Sequence, residues 1–235
     1  MPVVRKSGHG IKKMTTPLQA YSSFPRFHVG VDCIIFAVNN DRLSVLLVKR
    51  DFEPEKGKWS LIGGFVNDNE SVDEAAKRVL RELTGLDDVF IRQIGAFGEI
   101  ERDPGARVIS VAYFALLNLK DVDPRVVSEY GAEWVDVNDL PQLGFDHPKM
   151  IQQALSVMRR KILSDSLAFN LLPECFTLTQ LQTLVETVTG KDLDKRNFRK
   201  RITEIPGVEK TDLIDKESSK RGARMYRFVQ PDQCD

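Results

Sequence analysis

The stretch from Gly63 to Leu86, GGFVNDNESVDEAAKRVLRELTGL, decides how the rest of the chain is read. It opens on a glycine turn, passes through a short acidic loop and continues as one amphipathic helix. Ser71 and Glu74 stand three apart, so the hydroxyl of one and the carboxylate of the other can each satisfy a free amide at the helix start. Gly85 falls where a left-handed C-cap residue is wanted. Glu74, Arg78 and Glu82 follow at intervals of four, a spacing that a plain surface ion-pair ladder would also produce.

Strand-like segments lie on both sides. His28 to Val38, HVGVDCIIFAV, and Leu43 to Val48, LSVLLV, are apolar and β-branched, and Asn39-Asn-Asp between them is a turn signal, so they form a hairpin. Val89 to Phe97 and Arg107 to Leu119 are strand-like too, joined by a loop whose Asp103-Pro-Gly is strong turn chemistry and which puts Arg102 and Arg107 at its base. Ala132 to Val137, around Trp134, adds another strand. Asp146 is a candidate N-cap with Pro148 in the first turn, and Ile151, Leu155, Met158 and Ile162 recur at helical spacing. His147 reads as a capping or surface histidine. Strands with an embedded helix, then more strands, imply an α+β sandwich.

Composition changes after Leu163. Thr177 and Gln180 form a second capping pair, ahead of a helix with Leu178, Leu181, Leu184, Val185 and Val188 inward and Gly190 at its end. A second helix follows with Phe198, Ile202 and Ile205 on one face. Lys195, Arg196, Arg199, Lys200 and Arg201 put five cations within seven residues on the other. A strand from Val208, a polar turn and a return strand at Met225 to Val229 complete the layout of a winged helix-turn-helix. Most such cation clusters are solvated helix faces. This one lies on the second helix, where base-reading residues sit, and includes Asn197, which can pair bidentately with adenine. Lys220, Arg221, Arg224 and Arg227 fall on the wing. Residues 164 to 235 hold 12 basic and 12 acidic residues, so placement carries the argument, not total charge.

The whole chain of 235 residues has formal net charge zero and 42% hydrophobic residues, a globular composition with room for two domains. Its three cysteines are odd in number and far apart, which suggests neither a disulfide framework nor a zinc site. No apolar run approaches a membrane span and the N-terminus lacks a signal-peptide core, so a cytoplasmic protein without membrane contact is expected. Residues 1–25, with Arg5, Lys6, Lys12 and Lys13 and no acid, read as a basic flexible arm; 26–160 and 161–235 are the two expected domains.

The central stretch resembles the Nudix box. Gly64, Glu70, Arg78, Leu80, Glu82, Gly85 and Leu86 match its pattern, while Val79 and Leu83 stand where two of its metal-binding glutamates belong. Positions 79, 82 and 83 are neighbours on a helix, so one carboxylate is expected there between two apolar side chains, a weak clamp for magnesium. No catalytic residue and no metal site is assigned, Glu82 being the residual carboxylate. Phe145-Asp-His, Arg102-Asp-Pro, the segment from Leu171 to Thr179, and Arg196-Asn-Phe-Arg together resemble the Nudix-related transcriptional regulators of NAD metabolism in bacteria. The resemblance runs from about Phe27 to Phe228. It implies a Nudix-like α/β/α sandwich followed by a winged helix, in a homodimeric repressor of NAD-biosynthesis genes with ADP-ribose as effector and no cofactor.

ADP-ribose needs cations for its diphosphate and flat surfaces for adenine. Arg50, Arg102 and Arg107 are candidate cations, Phe65 and Phe97 candidate surfaces, and the amides around Gly63 and Gly64 can approach phosphate oxygens closely. On double-stranded operator DNA the candidates are Lys195, Arg196, Asn197, Arg199, Lys200, Lys220, Arg221 and Arg224. Two other readings compete. One is an active Nudix hydrolase of ADP-ribose or a related nucleoside diphosphate derivative, against which Val79 and Leu83 count. The other is an adaptor whose basic face meets an acidic protein, against which Asn197 and the wing count. Restoring glutamate at both 79 and 83 is expected to restore magnesium-dependent cleavage if the pocket is otherwise intact.

Overall fold

The apolar run after Phe27 becomes the central strand of the molecule. The computed structural model describes residues 24–39, 41–86, 89–122, 124–216 and 222–230. Strand β1 (His28–Asn39) pairs antiparallel with β2 (Arg42–Lys49) across the expected hairpin and parallel with β6 (Val108–Leu117). Its first half also pairs antiparallel with β4 (Ile62–Phe65), and β6 carries β5 (Phe90–Phe97) antiparallel. The other edge of β2 takes β3 (Trp59–Ser60) and β7 (Ala132–Asp136), completing a mixed sheet of seven strands. Layers cover both faces of β1, which is why its sequence reads as a continuous apolar run rather than an alternation.

Helix α1 (Val72–Thr84) lies on one face with Val31, Cys33, Ile35 and Leu46, and the short α2 (Pro124–Glu129) joins it there through Val127. Both expected caps of α1 form: the Ser71 hydroxyl accepts from the Glu74 amide, the Glu74 carboxylate accepts from the Ser71 amide, and Gly85 adopts φ 70°. Helix α3 (His147–Lys161) covers the other face, packing Met150, Ile151, Ala154 and Met158 against Ile34, Phe36 and Phe114.

The C-terminal part holds β8 (Cys175–Thr177), α4 (Leu178–Thr189), α5 (Lys195–Ile202), β9 (Val208–Asp215) and β10 (Ala223–Phe228), with sheet order β8-β10-β9. This is a winged helix. Its core is continuous with that of the first domain: one buried cluster runs from Ile34 and Phe36 through Leu155 and Met158 to Leu181, Val185, Phe198 and Ile202. Arg92 on β5 also pairs with Asp165 at 2.7 Å, and the Thr187 hydroxyl donates to the Asp41 carbonyl at 3.4 Å. The expected division at 160/161 falls inside α3, one residue before the helix ends, and the buried core runs across it. Most of the N-terminal arm, and Lys220 and Arg221 on the wing, lie outside the described residues.

Candidate ligand site and nucleic-acid interface

The box is held together by one charged pair. Arg78 donates to both carboxylate oxygens of Glu70, at 2.9 and 2.7 Å, and to the Phe65 carbonyl at 3.1 Å. The Asn67 amide adds a third donor to Glu70 at 2.8 Å. Hydrogen bonds from Arg78 and then from Asn67 hold the Glu70 carboxyl down to about 2. The turn and the helix are thus clamped in the arrangement that the sequence pattern implied.

The expected metal face is different. Val79 and Leu83 are 5% and 2% exposed and sit in the core under the sheet, whereas Glu82 is at the surface, 3.5 Å from Arg78. The three side chains do not share one open face. The buried stripe of α1 is centred on Ala76, Val79, Leu80 and Leu83, which turns Glu82 out to its rim. Gly63 is explained by strand packing: a Cβ there would meet the Val31 carbonyl oxygen at 2.5 Å. Gly64 packs beside Val79.

The candidate cations are already engaged. Arg50 donates to the Pro54 carbonyl at 2.9 Å and lies over the rings of Phe52 and Phe145, at 4.2 and 4.9 Å. Arg107 donates to the Gly98 and Glu99 carbonyls at 2.9 and 3.0 Å and covers Phe27. Phe65 is exposed beside His28, and Phe97 is half-buried at the end of β5. Arg102 does not stand open at a loop base. Its side chain is 4% exposed, with Asp146 gripped by two hydrogen bonds at 3.1 and 2.8 Å and Asp32 at 3.3 Å.

Arg102 belongs to a buried polar cluster that the sequence reading missed. Asp32 on β1 accepts from Ser110 on β6 at 2.6 Å, and its other oxygen lies 3.5 Å from His147 Nε2. His147 Nδ1 accepts the Leu61 amide at 3.0 Å, which places the ring proton on Nε2, facing Asp32. Burial pushes the Asp32 carboxyl up, but the hydrogen bonds from His147 and Ser110 and the Arg102 charge more than offset it and hold it below the usual carboxylate range. Asp146 precedes α3 as expected, yet its side chain caps no amide, because Arg102 takes both oxygens. Beside it, Phe145 has φ 54°, a left-handed conformation that costs energy for an aromatic residue. The available signal was an aspartate inside an apolar strand and the Phe145-Asp-His segment.

On the winged helix, Asp194 caps α5 through the Asn197 amide at 2.8 Å, while Phe198 and Ile202 anchor the inner face. Lys195, Arg196, Asn197, Arg199 and Lys200 are all exposed. The helix has two flanks. Lys195, Arg199 and Lys200 line a groove of about 1130 Å³ together with Arg224 of β10. Asn197 and Arg201 line a smaller cavity of about 320 Å³ with Arg159 and Arg160 of α3.

The model of the NUDIX domain matches residues 26–154 and that of the NrtR DNA-binding winged helix domain matches residues 168–228. The chain belongs to the NrtR family. It is 36% identical over 215 residues to an ADPR responsive transcriptional repressor of Acinetobacter baylyi, covering 90% of this chain and 86% of that one. Among solved structures, Shewanella oneidensis NrtR complexed with a 27mer DNA superposes with TM-score 0.76 and 30% identity, over 86% of this chain and 93% of that one. The NUDIX domain of the same NrtR complexed with ADP ribose gives TM-score 0.50 and 27% identity, over 61% of this chain and 99% of that one. Among the described residues, no helix is long and apolar enough to cross a membrane.

Proposed function

We propose that this chain is a bacterial transcriptional repressor of NAD-biosynthesis genes, cytoplasmic and homodimeric, which binds operator DNA through its winged helix and releases it when ADP-ribose enters the NUDIX domain. The observation that carries the reading is the outer face of α5. Its five cations are exposed on the second helix of a winged helix, and none of them is in a salt bridge among the described residues. The relatives named above bind DNA and ADP-ribose as their names state. Lys195, Arg196, Asn197, Arg199, Lys200 and Arg224 are the proposed DNA contacts.

For ADP-ribose, the exposed ring of Phe65, the half-buried ring of Phe97 and the guanidinium groups of Arg50 and Arg107 are the proposed contacts. Arg102 acts from behind as the group that ties this region to α3. The NUDIX fold also implies magnesium, and the donor set does not fit it. Glu82 is the one box carboxylate of the three metal positions, and Arg78 already pairs with it. Magnesium that polarises a diphosphate needs near-octahedral oxygen ligation with more anionic donors. The domain therefore holds its nucleotide rather than cleaving it.

A gel shift with promoter DNA, with and without ADP-ribose, tests the reading. Retarded DNA that is freed by ADP-ribose supports it. Turnover of ADP-ribose with magnesium on the order of 1 per second or faster would mean the domain is an enzyme and not a sensor.

A further inference from the structure

The large groove beside α5 is not made by the winged helix alone. One wall is α4 and α5, which present Thr183, Lys195, Arg199 and Lys200, and a second is Arg224 on β10. The third belongs to the NUDIX domain, where Asn118 and Lys120 follow the end of β6. A short turn fixes this wall: the Asn118 carboxamide oxygen accepts from the Lys120 amide at 3.1 Å, and its backbone carbonyl accepts from the Asp121 amide at 3.0 Å.

We propose that the DNA-binding groove crosses the domain boundary, with Lys120 of the NUDIX domain contacting a phosphate of the same duplex that α5 reads. The inference rests on the DNA-binding function proposed above. Three observations support it. Among the described residues the groove is lined by five cations and by one acid, Asp41, in a chain whose 34 basic and 34 acidic residues balance. Lys120 is exposed and in no salt bridge among the described residues, although Asp121 is its neighbour. The rest of the lining mixes apolar side chains with threonines such as Thr179 and Thr183 and with Asn118, neutral polar groups that can bind phosphate and sugar oxygens. A duplex carries one negative charge per roughly 1.7 Å of axis, so a helix seated in its major groove brings flanking phosphates to any cation in the same groove. The bland alternative, a solvated lysine, predicts no effect on DNA binding. Because Lys120 travels with the sensing domain, the arrangement of the two domains would enter the affinity for DNA directly.

The test is titration of the full chain with a mixed-sequence DNA duplex, followed by fluorescence anisotropy over a series of salt concentrations. The wild type is compared with Lys120→Ala, Lys120→Arg and Lys77→Ala, the last on α1 across the sheet. Losing one phosphate contact lowers the slope of log affinity against log salt by about 0.9 and weakens binding about five-fold near 0.15 M salt. Lys120→Arg should keep both values and Lys77→Ala should match the wild type. An unchanged slope in Lys120→Ala, with wild-type binding that still depends on Arg199, would overturn the inference and leave the DNA-binding function standing. A wild type that fails to bind duplex at low salt would overturn that function itself.

Discussion

At the scale of single residues, Val79 and Leu83 do more than omit two carboxylates, because both are part of the core. Leu83→Glu removes apolar contacts and buries an unpaired carboxylate, so it should cost roughly 3 to 5 kcal/mol in chemical denaturation. A variant as stable as the wild type would show that position 83 opens to solvent after all. The same burial bears on the double change to glutamate at 79 and 83: it should lower stability as well, so magnesium-dependent cleavage has to be read on a chain shown to be folded. Asp32 gives the complementary case. Its folded-state carboxyl lies below the usual range, so the stability it contributes is fully present above the unfolded value of about 3.9 and is lost as pH falls through the lower folded value. Asp32→Asn should be less stable at neutral pH and show a flatter decline on acidification, read by thermal unfolding between about pH 6 and about pH 2.5. An acid limb parallel to the wild type's would assign the effect to another group. The apolar stripe of α1 and an aspartate inside an apolar strand were legible in the sequence, but the partners of Asp32 were not, because strand neighbours set them and Ser110 is 78 residues away.

At the scale of elements, the local signals were legible wherever chemistry within a few residues decides the outcome. The capping pairs at Ser71 and Thr177 form, and Gly85 and Gly190 close their helices in the left-handed conformation. The cap expected at Asp146 forms in position but not in hydrogen bonding, because a long-range partner, Arg102, wins its carboxylate. Strands β3 and β8, of two and three residues, are too short to show any periodicity and exist through their neighbours. For α5 the sequence found the cations and the structure sorted them into flanks. Arg196 and Arg199 are exposed and Phe198 holds the helix from inside, so Arg196→Ala and Arg199→Ala should each weaken DNA binding by roughly 1 to 3 kcal/mol, with the circular dichroism spectrum unchanged. Normal affinity in the double variant would move base reading to the other flank of this helix, which Asn197 and Arg201 form.

At the scale of the whole molecule, α3 is the element through which the two domains can act on each other. Its 15 residues span about 22 Å. Its start is gripped by the buried cluster, through Asp146 to Arg102 and His147 to Leu61 and Asp32, next to the Phe145 ring under Arg50. Its far end shares the winged helix core through Met158 and Ile162, and Arg159 donates to the Val188 carbonyl at 3.0 Å. If ADP-ribose draws on Arg50, as proposed, it would pull at the Phe145 ring beside one end of α3, whose other end packs into the winged helix. Two such readers in a dimer, set about 34 Å apart by the helical repeat of DNA, would be sensitive to a small tilt. Coupling of this kind is reciprocal: if ADP-ribose weakens DNA binding by some factor, DNA weakens ADP-ribose binding by the same factor. Calorimetric titration of ADP-ribose into the protein with and without operator DNA should return two different affinities. Asp146→Asn keeps a residue suited to the N-cap but removes the charge that Arg102 grips, so it should bind DNA nearly as the wild type does while bringing the two ligand affinities together. Its thermal unfolding should remain a single transition, because the core shared by both domains is intact. Equal affinities in the wild type would mean that the sites are independent, and a full wild-type difference in Asp146→Asn would route the coupling away from the Arg102 contact.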